Sequence, residues 1–312
     1  MLLGIDIGGT AVKMAILDER GVIHARHEAG VSGDGYQTPV LQTVMEETAR
    51  FLAAQETPVR GIGVSATGQI DERTGVVIGT NGKIPHYEGT RIKEEIEARF
   101  SLPVWALNDA NAAVLGECFA GRARGFRHVL MITLGTGVGG GMVLDGKLYG
   151  GLRGIAGEMG HFTLYQDGVQ CTCGKRGCFE SYASTTALLR LAREATGEAK
   201  WDGRAVFERA AAGEPAMQAV LNRWIDDIAA GITGLVHIFN PEMVLIGGGV
   251  SAQEALLMQP LRARVLGGVM PRFAQGLCVE RAVLGNDAGV VGAVKFWMDR
   301  QQEEMGAFMR RR

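Results

Sequence analysis

The 312-residue chain is poor in proline, with 8, and in aromatic residues, at 6%. No G-x-y period and no Ser- or Gln-rich tract runs through it, which excludes a collagen-like or disordered linker protein. It lacks a long apolar run. The longest uncharged stretch, 129–144, is sixteen residues with five glycines, shorter than a membrane span of about 20. Asp6 interrupts the N-terminal apolar run, against a secretory leader. A cytoplasmic location with no membrane partner is therefore expected. Charge imbalance is lacking too: 32 basic against 34 acidic residues give a net charge of −2, with no pull toward nucleic acid. The five cysteines are odd in number, and three cluster at 171, 173 and 178. In a cytosolic chain that pattern favours metal over disulfides. What the chain has in excess is glycine, 46 of 312 residues, roughly twice the usual share of about 7%.

Hydrophobic periodicity places strands at 2–7, 11–17 and 22–28, a helix at 37–55, a strand at 61–66 and a helix at 89–100. A strand at 103–107 follows, with Asn108–Asp109 at its carboxyl end before a helix at 110–119. Strands at 128–134 and 139–144 around a Gly-rich turn echo the strand–turn–strand of 2–17. After a loop-rich stretch at 150–180, helices are expected at 184–196, 203–212 and 215–239. A strand at 243–246, a helix at 253–266, a strand at 277–283 and a helix at 287–304 close the chain. Without a Pro/Ser linker, two lobes sharing a cleft are expected. The first is 1–108, with the C-terminal helix of about 287–312 packed back on it, and the second is 109–286.

Three glycine turns fall at strand ends. Asp6-Ile-Gly8-Gly9-Thr10 lies between two strands. Gly-Gly permits unusual dihedrals and brings N–H groups near an oxyanion. Thr10 adds a hydroxyl, and Lys13 offers a cation at an odd spacing that leaves its direction open. The run Gly135-Thr136-Gly137-Val138-Gly139-Gly140-Gly141 has too many glycines for an efficient hairpin, since each costs roughly 0.5–1 kcal/mol inside an element. Gly247-Gly248-Gly249 precedes a helix, where open α/β sheets bind nucleotides. None carries the G-K-[ST] of a P-loop. The set points to a nucleotide site, and the competing reading of the Gly8–Gly9 turn alone is a plain hairpin.

Asp109 sits where a carboxylate can orient an attacking hydroxyl and accept its proton, although Asn108 or Asp109 can equally be a helix cap. His161, Cys171, Cys173 and Cys178 offer one imidazole and three thiols within eighteen residues, a donor set for tetrahedral zinc.

On these residues the chain resembles the ROK (repressor, open reading frame, kinase) family. The likeness rests on Asp6–Thr10, Asn108-Asp-Ala-Asn-Ala112, Gly135–Gly141, Gly157-Glu-Met-Gly-His161 and Cys171-x-Cys-Gly-x-x-Gly-Cys-x-Glu180. It runs from Gly4 to about Ala293. It implies an α/β, actin-like ATPase fold (hexokinase-type, ribonuclease H-like) of two lobes with an interlobe cleft. It also implies an ATP-dependent kinase acting on the 6-hydroxyl of a hexose or N-acylhexosamine (glucose, N-acetylglucosamine or N-acetylmannosamine). Asp109 would be the base. Gly68, Asn81, Asn108, Glu158, His161 and Glu180 would bind sugar. Asp6, Gly8, Gly9, Thr10, Lys13, Gly135, Thr136, Gly137, Gly139, Gly140, Gly248 and Gly249 would serve ATP. Asp6 would stand near Mg2+ through water, and zinc would be structural, with His161 using one ring nitrogen for zinc and the other for sugar. A homodimer is also implied.

Two alternatives are a β-glucoside kinase and a sugar-sensing ROK regulator without its DNA-binding domain. Such repressors carry a helix-turn-helix before the phosphate turn, and here the matched turn region starts at residue 4, so none is expected. The segment Thr80-Asn81-Gly82-Lys83 lacks an aromatic that often follows the sugar-wall asparagine of the family.

Overall fold

The computed structural model describes residues 1–80, 82 and 84–310. Seven strands open the chain: β1 (Leu2–Ile7), β2 (Ala11–Leu17), β3 (Ile23–Gly30), β4 (Ile62–Ala66), β5 (Gln69–Asp71), β6 (Val76–Gly79) and β7 (Val104–Asn108). Helices α1 (Val40–Ala53), α2 (Ile92–Phe100) and α3 (Asp109–Ala120) are interleaved with them. The second half has β8 (Val129–Leu134), β9 (Val138–Leu144), β10 (Lys147–Leu148), β11 (Met243–Gly247) and β12 (Cys278–Arg281). Its helices are α4 (Glu180–Ala183), α5 (Thr185–Thr196), α6 (Gly203–Ala211), α7 (Pro215–Phe239), α8 (Gln259–Gly268) and α9 (Pro271–Ala274). Helix α10 (Ala288–Arg310) ends the described chain.

Two compact units result. One comprises 1–125, 148–156 and 286–312, and the other 126–147 and 157–285. The boundary expected at 108/109 therefore falls after Gly125. Helix α3 belongs to the first unit because it packs on α10: a side chain at Gly116 would overlap the Ala288 carbonyl, and one at Gly292 the Ala112 carbonyl.

Each unit is built on a five-stranded sheet, in the orders β3-β2-β1-β4-β7 and β10-β9-β8-β11-β12. In the first, β1 pairs antiparallel with β2 and parallel with β4, which pairs parallel with β7. In the second, β8 pairs antiparallel with β9 and parallel with β11, which pairs parallel with β12. The echo between 2–17 and 128–144 is thus one arrangement used twice. Strands β1 and β4 are apolar because both faces are covered, whereas β3 alternates half-buried and exposed residues at the sheet edge.

Helix α7 shows best why the sequence folds as it does. Pro215 is pre-set for the first turn, and Asn240 ends the helix in a left-handed conformation. Its apolar face buries Trp224, whose Nε1 donates to the carbonyls of Ala183 and Ser184, both at 3.1 Å. The helix expected at 253–266 is interrupted: a π-helical turn over Glu254–Met258 precedes α8, with Pro260 in its first turn. The hairpin β5–β6 has no sequence signature, since its strands are only three and four residues long. Among the described residues no helix is long and apolar enough to cross a membrane.

Helix α10 lies backbone to backbone on its neighbours. Side chains at Gly4 and Gly63 would overlap the carbonyls of Val290 and Ala293. Because backbone cannot yield as a side chain does, Gly292→Ala should lower stability by about 3 kcal/mol, the upper end for overpacking. Gly33, where an added side chain would meet nothing within 4 Å, provides the control, and Gly33→Ala should stay within about 0.5 kcal/mol. Urea unfolding of both variants measures the difference.

Candidate active site

In the first unit, Asp6 lies on β1 in register with Ser65 of β4 and Lys13 of β2. Ser65 Oγ donates to Asp6 Oδ1 at 2.6 Å. Lys13 lies directly across from Asp6, so its charge reaches the carboxylate. Desolvation pushes the Asp6 pKa up, and the Ser65 hydrogen bond and Lys13 oppose it. A side chain at Gly289, in the first turn of α10, would strike this carboxylate. Asp6 therefore faces the partial positive charge of a helix N-terminus. This single carboxylate fits Mg2+, an ion that keeps waters and takes other ligands from substrate phosphates.

The turn after Asp6 is closed by Gly8 N–H donating to the Ala11 carbonyl at 3.0 Å. Neither Gly8 nor Gly9 has a positive φ, so unusual dihedrals are not why they are glycine. The Tyr36 hydroxyl donates to the Gly9 carbonyl at 2.5 Å, and Val31 N–H to the Thr10 carbonyl at 3.0 Å. Outside donors thus occupy the carbonyls of Gly9 and Thr10.

Asn108 and Asp109 hold the junction of β7 and α3. Asn108 is the N-cap, its Oδ1 accepting from the amides of Ala110 (2.9 Å) and Asn111 (3.2 Å). Its Nδ2 donates to the Gly68 carbonyl at 2.8 Å and to Asp109 Oδ1 at 3.0 Å. Gly68 has φ +93°, a conformation suited to glycine. The capping and functional readings of Asn108–Asp109 are therefore compatible: Asn108 caps, which leaves Asp109 as the first helical residue, with Oδ1 accepting from Ala110 N–H at 2.8 Å. The structure thus brings Gly68, Asn108 and Asp109 together; Asn81 lies outside the described residues. Tyr87 was not signalled by any motif. It is 3% exposed, and its hydroxyl has no hydrogen-bond partner among the described residues. Burial, with the charges of Asp109 and Asp6 nearby, pushes that phenol up. Ser65 had a faint signal, as a hydroxyl in an apolar strand.

In the second unit, the turn of Gly135, Thr136 and Gly137 joins β8 to β9. Gly135 N–H donates to the Gly137 carbonyl at 3.0 Å. Gly139 and Gly140 lie in β9, paired with Thr133 and Ile132. Gly140 is glycine for packing, since a side chain there would overlap the Gly157 carbonyl and Met159. Gly160 in turn lies on the Val138 carbonyl. These contacts seat the 3-10 turn Met159–His161 on β9 and place Glu158 and His161. Gly248, with φ +88°, lies against the Leu134 carbonyl, and a side chain there would overlap it. Gly249 has open space around it.

His161, Cys171, Cys173 and Cys178 converge, with one ligand atom from each lying within 4.8 Å of all the others. Cys171 Sγ is 3.8 Å from His161 Nδ1, and Cys173 Sγ is 3.6 Å from Cys178 Sγ. A tetrahedron of zinc–sulfur bonds of about 2.3 Å has edges of about 3.8 Å, so the four residues fit zinc. With Nδ1 turned to the thiols, Nε2 is left for another partner. Burial pushes the Cys178 thiol up to about 12, while the Lys175 amide holds Cys173 below the usual thiol range. Glu180 begins α4 two residues beyond Cys178, and its Oε2 accepts from Val138 N–H at 2.9 Å.

Comparison with known proteins agrees with this geometry. A model of the ROK family matches residues 2–300. The glucokinase of Thermotoga maritima is 35% identical over 312 residues, covering 96% of this chain and 98% of that protein. The ROK hexokinase of Thermus thermophilus superposes with a TM-score of 0.83 at 31% identity, covering 96% of this chain and 99% of that one. A ROK family glucokinase from Streptomyces griseus, solved in complex with glucose and AMPPNP, superposes with a TM-score of 0.76 at 30% identity, covering 94% and 97%. The likeness extends along nearly the whole chain, through both five-stranded sheets and the turn after each first strand. The chain has the α/β fold of the actin-like, hexokinase type and belongs to the ROK family.

Proposed function

We propose that the protein is an ATP-dependent sugar kinase that phosphorylates the 6-hydroxyl of a hexose, with glucose as the first substrate to test. The observation that carries this reading is the Asp109 carboxylate, held at a helix N-terminus by Asn108, which is itself fixed to the Gly68 carbonyl. A helix N-terminus favours the ionised carboxylate, the form that can accept a proton. As the 6-oxygen bonds to the γ-phosphorus and the bond to ADP breaks, Asp109 takes the hydroxyl proton. Glu158, His161, Asn108 and Glu180 are the proposed sugar contacts, joined by Asn81 and the backbone at Gly68. The amides and hydroxyls of the turns at Gly8–Thr10 and Gly135–Gly137, with Gly248–Gly249, are the proposed phosphate and nucleotide contacts. Mg2+, when bound with the nucleotide, offsets charge developing on the phosphates, and Asp6 would hold its water shell. Zinc would hold the loop that leads into Glu180. A homodimer in the cytoplasm completes the reading.

Glucose is favoured because the relatives compared above are named glucokinases and a hexokinase. A coupled ADP-release assay over glucose, N-acetylglucosamine, N-acetylmannosamine and β-glucosides should give its highest kcat/KM with glucose. Release with none of them would refute a sugar kinase. Asp109→Asn should lower kcat by about 10²–10⁴-fold while glucose affinity stays within about threefold of wild type. A near-normal kcat would reject Asp109 as the base. Elemental analysis should find one zinc per chain. No zinc, with all three clustered thiols titratable, would remove the metal from the reading.

A further inference from the structure

The turn of Gly135, Thr136 and Gly137 is held from outside on every side but one. Thr185, in the first turn of α5, donates to the Gly135 carbonyl twice, from its amide at 2.8 Å and from its hydroxyl at 2.7 Å. Thr186 Oγ1 donates to the Thr136 carbonyl at 2.7 Å. The Gly137 carbonyl is taken by Gly135 N–H, and Val138 N–H by Glu180. Among the described hydrogen bonds, the amides of Thr136 and Gly137 alone in this turn donate to nothing. Two adjacent free amides on a turn whose carbonyls are all occupied form an anion-binding cradle.

Glu180 makes that arrangement depend on the zinc knuckle. A side chain at Gly137 would overlap Glu180 Oε2, so carboxylate and turn are in direct contact. The other oxygen, Oε1, accepts from Thr172 Oγ1, between two of the zinc-ligating cysteines, at 3.4 Å. Glu180 is anchored through its neighbour Phe179. That ring is fully buried, stacks on Phe162 and fits over Gly231, and Phe179 N–H donates to the Phe162 carbonyl at 2.9 Å. The stretch of chain from Cys178 to Thr186 therefore runs from the metal knuckle to the turn with little slack.

We infer that Glu180 is a positioning residue for the phosphate turn, so that the zinc knuckle sets nucleotide affinity as well as any sugar contact. This inference rests on the kinase reading above. Its test is calorimetric binding of AMPPNP–Mg2+ to the zinc-loaded protein without sugar, which isolates the turn from the sugar role of Glu180. Glu180→Ala should weaken binding about tenfold, the effect of losing a hydrogen bond to a charged group. Glu180→Gln keeps an acceptor for Val138 N–H and should stay within about threefold of wild type. Thr186→Val, on an exposed side chain, should weaken binding several-fold. Zinc content and hydrogen exchange at 135–138 are measured on each variant, and exchange there should rise in Glu180→Ala but not in Glu180→Gln. Wild-type affinity and unchanged exchange in Glu180→Ala would overturn the inference. A wild-type protein that binds no nucleotide would overturn the kinase reading instead, while the exchange data would still decide whether Glu180 holds the turn.

Discussion

The first unit depends on the backbone contact between α10 and the elements formed by the first 120 residues. Carbonyls of the helix lie where side chains would stand at Gly4, Gly63 and Gly116, and Gly292 of the helix lies on the Ala112 carbonyl. At such distances dispersion contacts are dense, but only hydrogen can occupy the side-chain position. Two polar ties fix the helix lengthwise: Trp297 Nε1 donates to the Pro103 carbonyl at 2.9 Å, and Arg300 pairs with Glu72 at 2.8 Å. Helix α10 thereby braces β1, β4 and α3 together. These carry Asp6, Ser65 and Asp109, so helix α10 sets the spacing of groups that lie far earlier in the chain.

The same contact separates the chemistry of two carboxylates. Asp6 stands in a packed corner where desolvation raises its pKa, offset by Ser65, Lys13 and the start of α10. Asp109 stands at the start of its own helix, with Asn108 and the Ala110 amide as donors to Oδ1. A group hemmed in by compensating charge suits a fixed electrostatic role. Under the proposed reading, the carboxylate at the helix start, whose N-cap is already supplied by its neighbour, is the one that takes the proton. Different surroundings for like residues are a general way for a site to give them different work.

Much of the fold was legible in the sequence, and the legible part has a common physical character. Helix α7 appears at its full length because its apolar residues keep a helical period between Pro215 and Asn240. The four zinc-type ligands are close in sequence, so local chain geometry alone brings them together. Asn108–Asp109 stands at a strand end, where the sequence offers a helix cap and the structure places Asn108 as that cap. The illegible part is long-range. Nothing in the local pattern marks Gly4 or Gly63 as the floor for a helix more than two hundred residues away. The glycine excess first points to ligand turns, yet Gly140 and Gly160 are small because β9 and the segment of 157–161 lie against each other. Thr185 and Thr186 read as ordinary helix-start residues, and only the fold shows their hydroxyls closing a turn fifty positions away.

The duplication of sheet order gives these turns a shared logic. Each follows the first strand of its sheet, and in each two carbonyls are taken by donors from elsewhere: those of Gly9 and Thr10 by Tyr36 and Val31, those of Gly135 and Thr136 by Thr185 and Thr186. A turn with free carbonyls attracts cations and water as readily as anions. Occupying the carbonyls leaves amide donors as the unsatisfied groups, and the local field then favours an anion. The two units do this with unrelated residues, a tyrosine hydroxyl and the Val31 amide in one and a threonine pair in the other. Because residues outside each turn occupy its carbonyls, the glycines alone do not set the polarity of either turn.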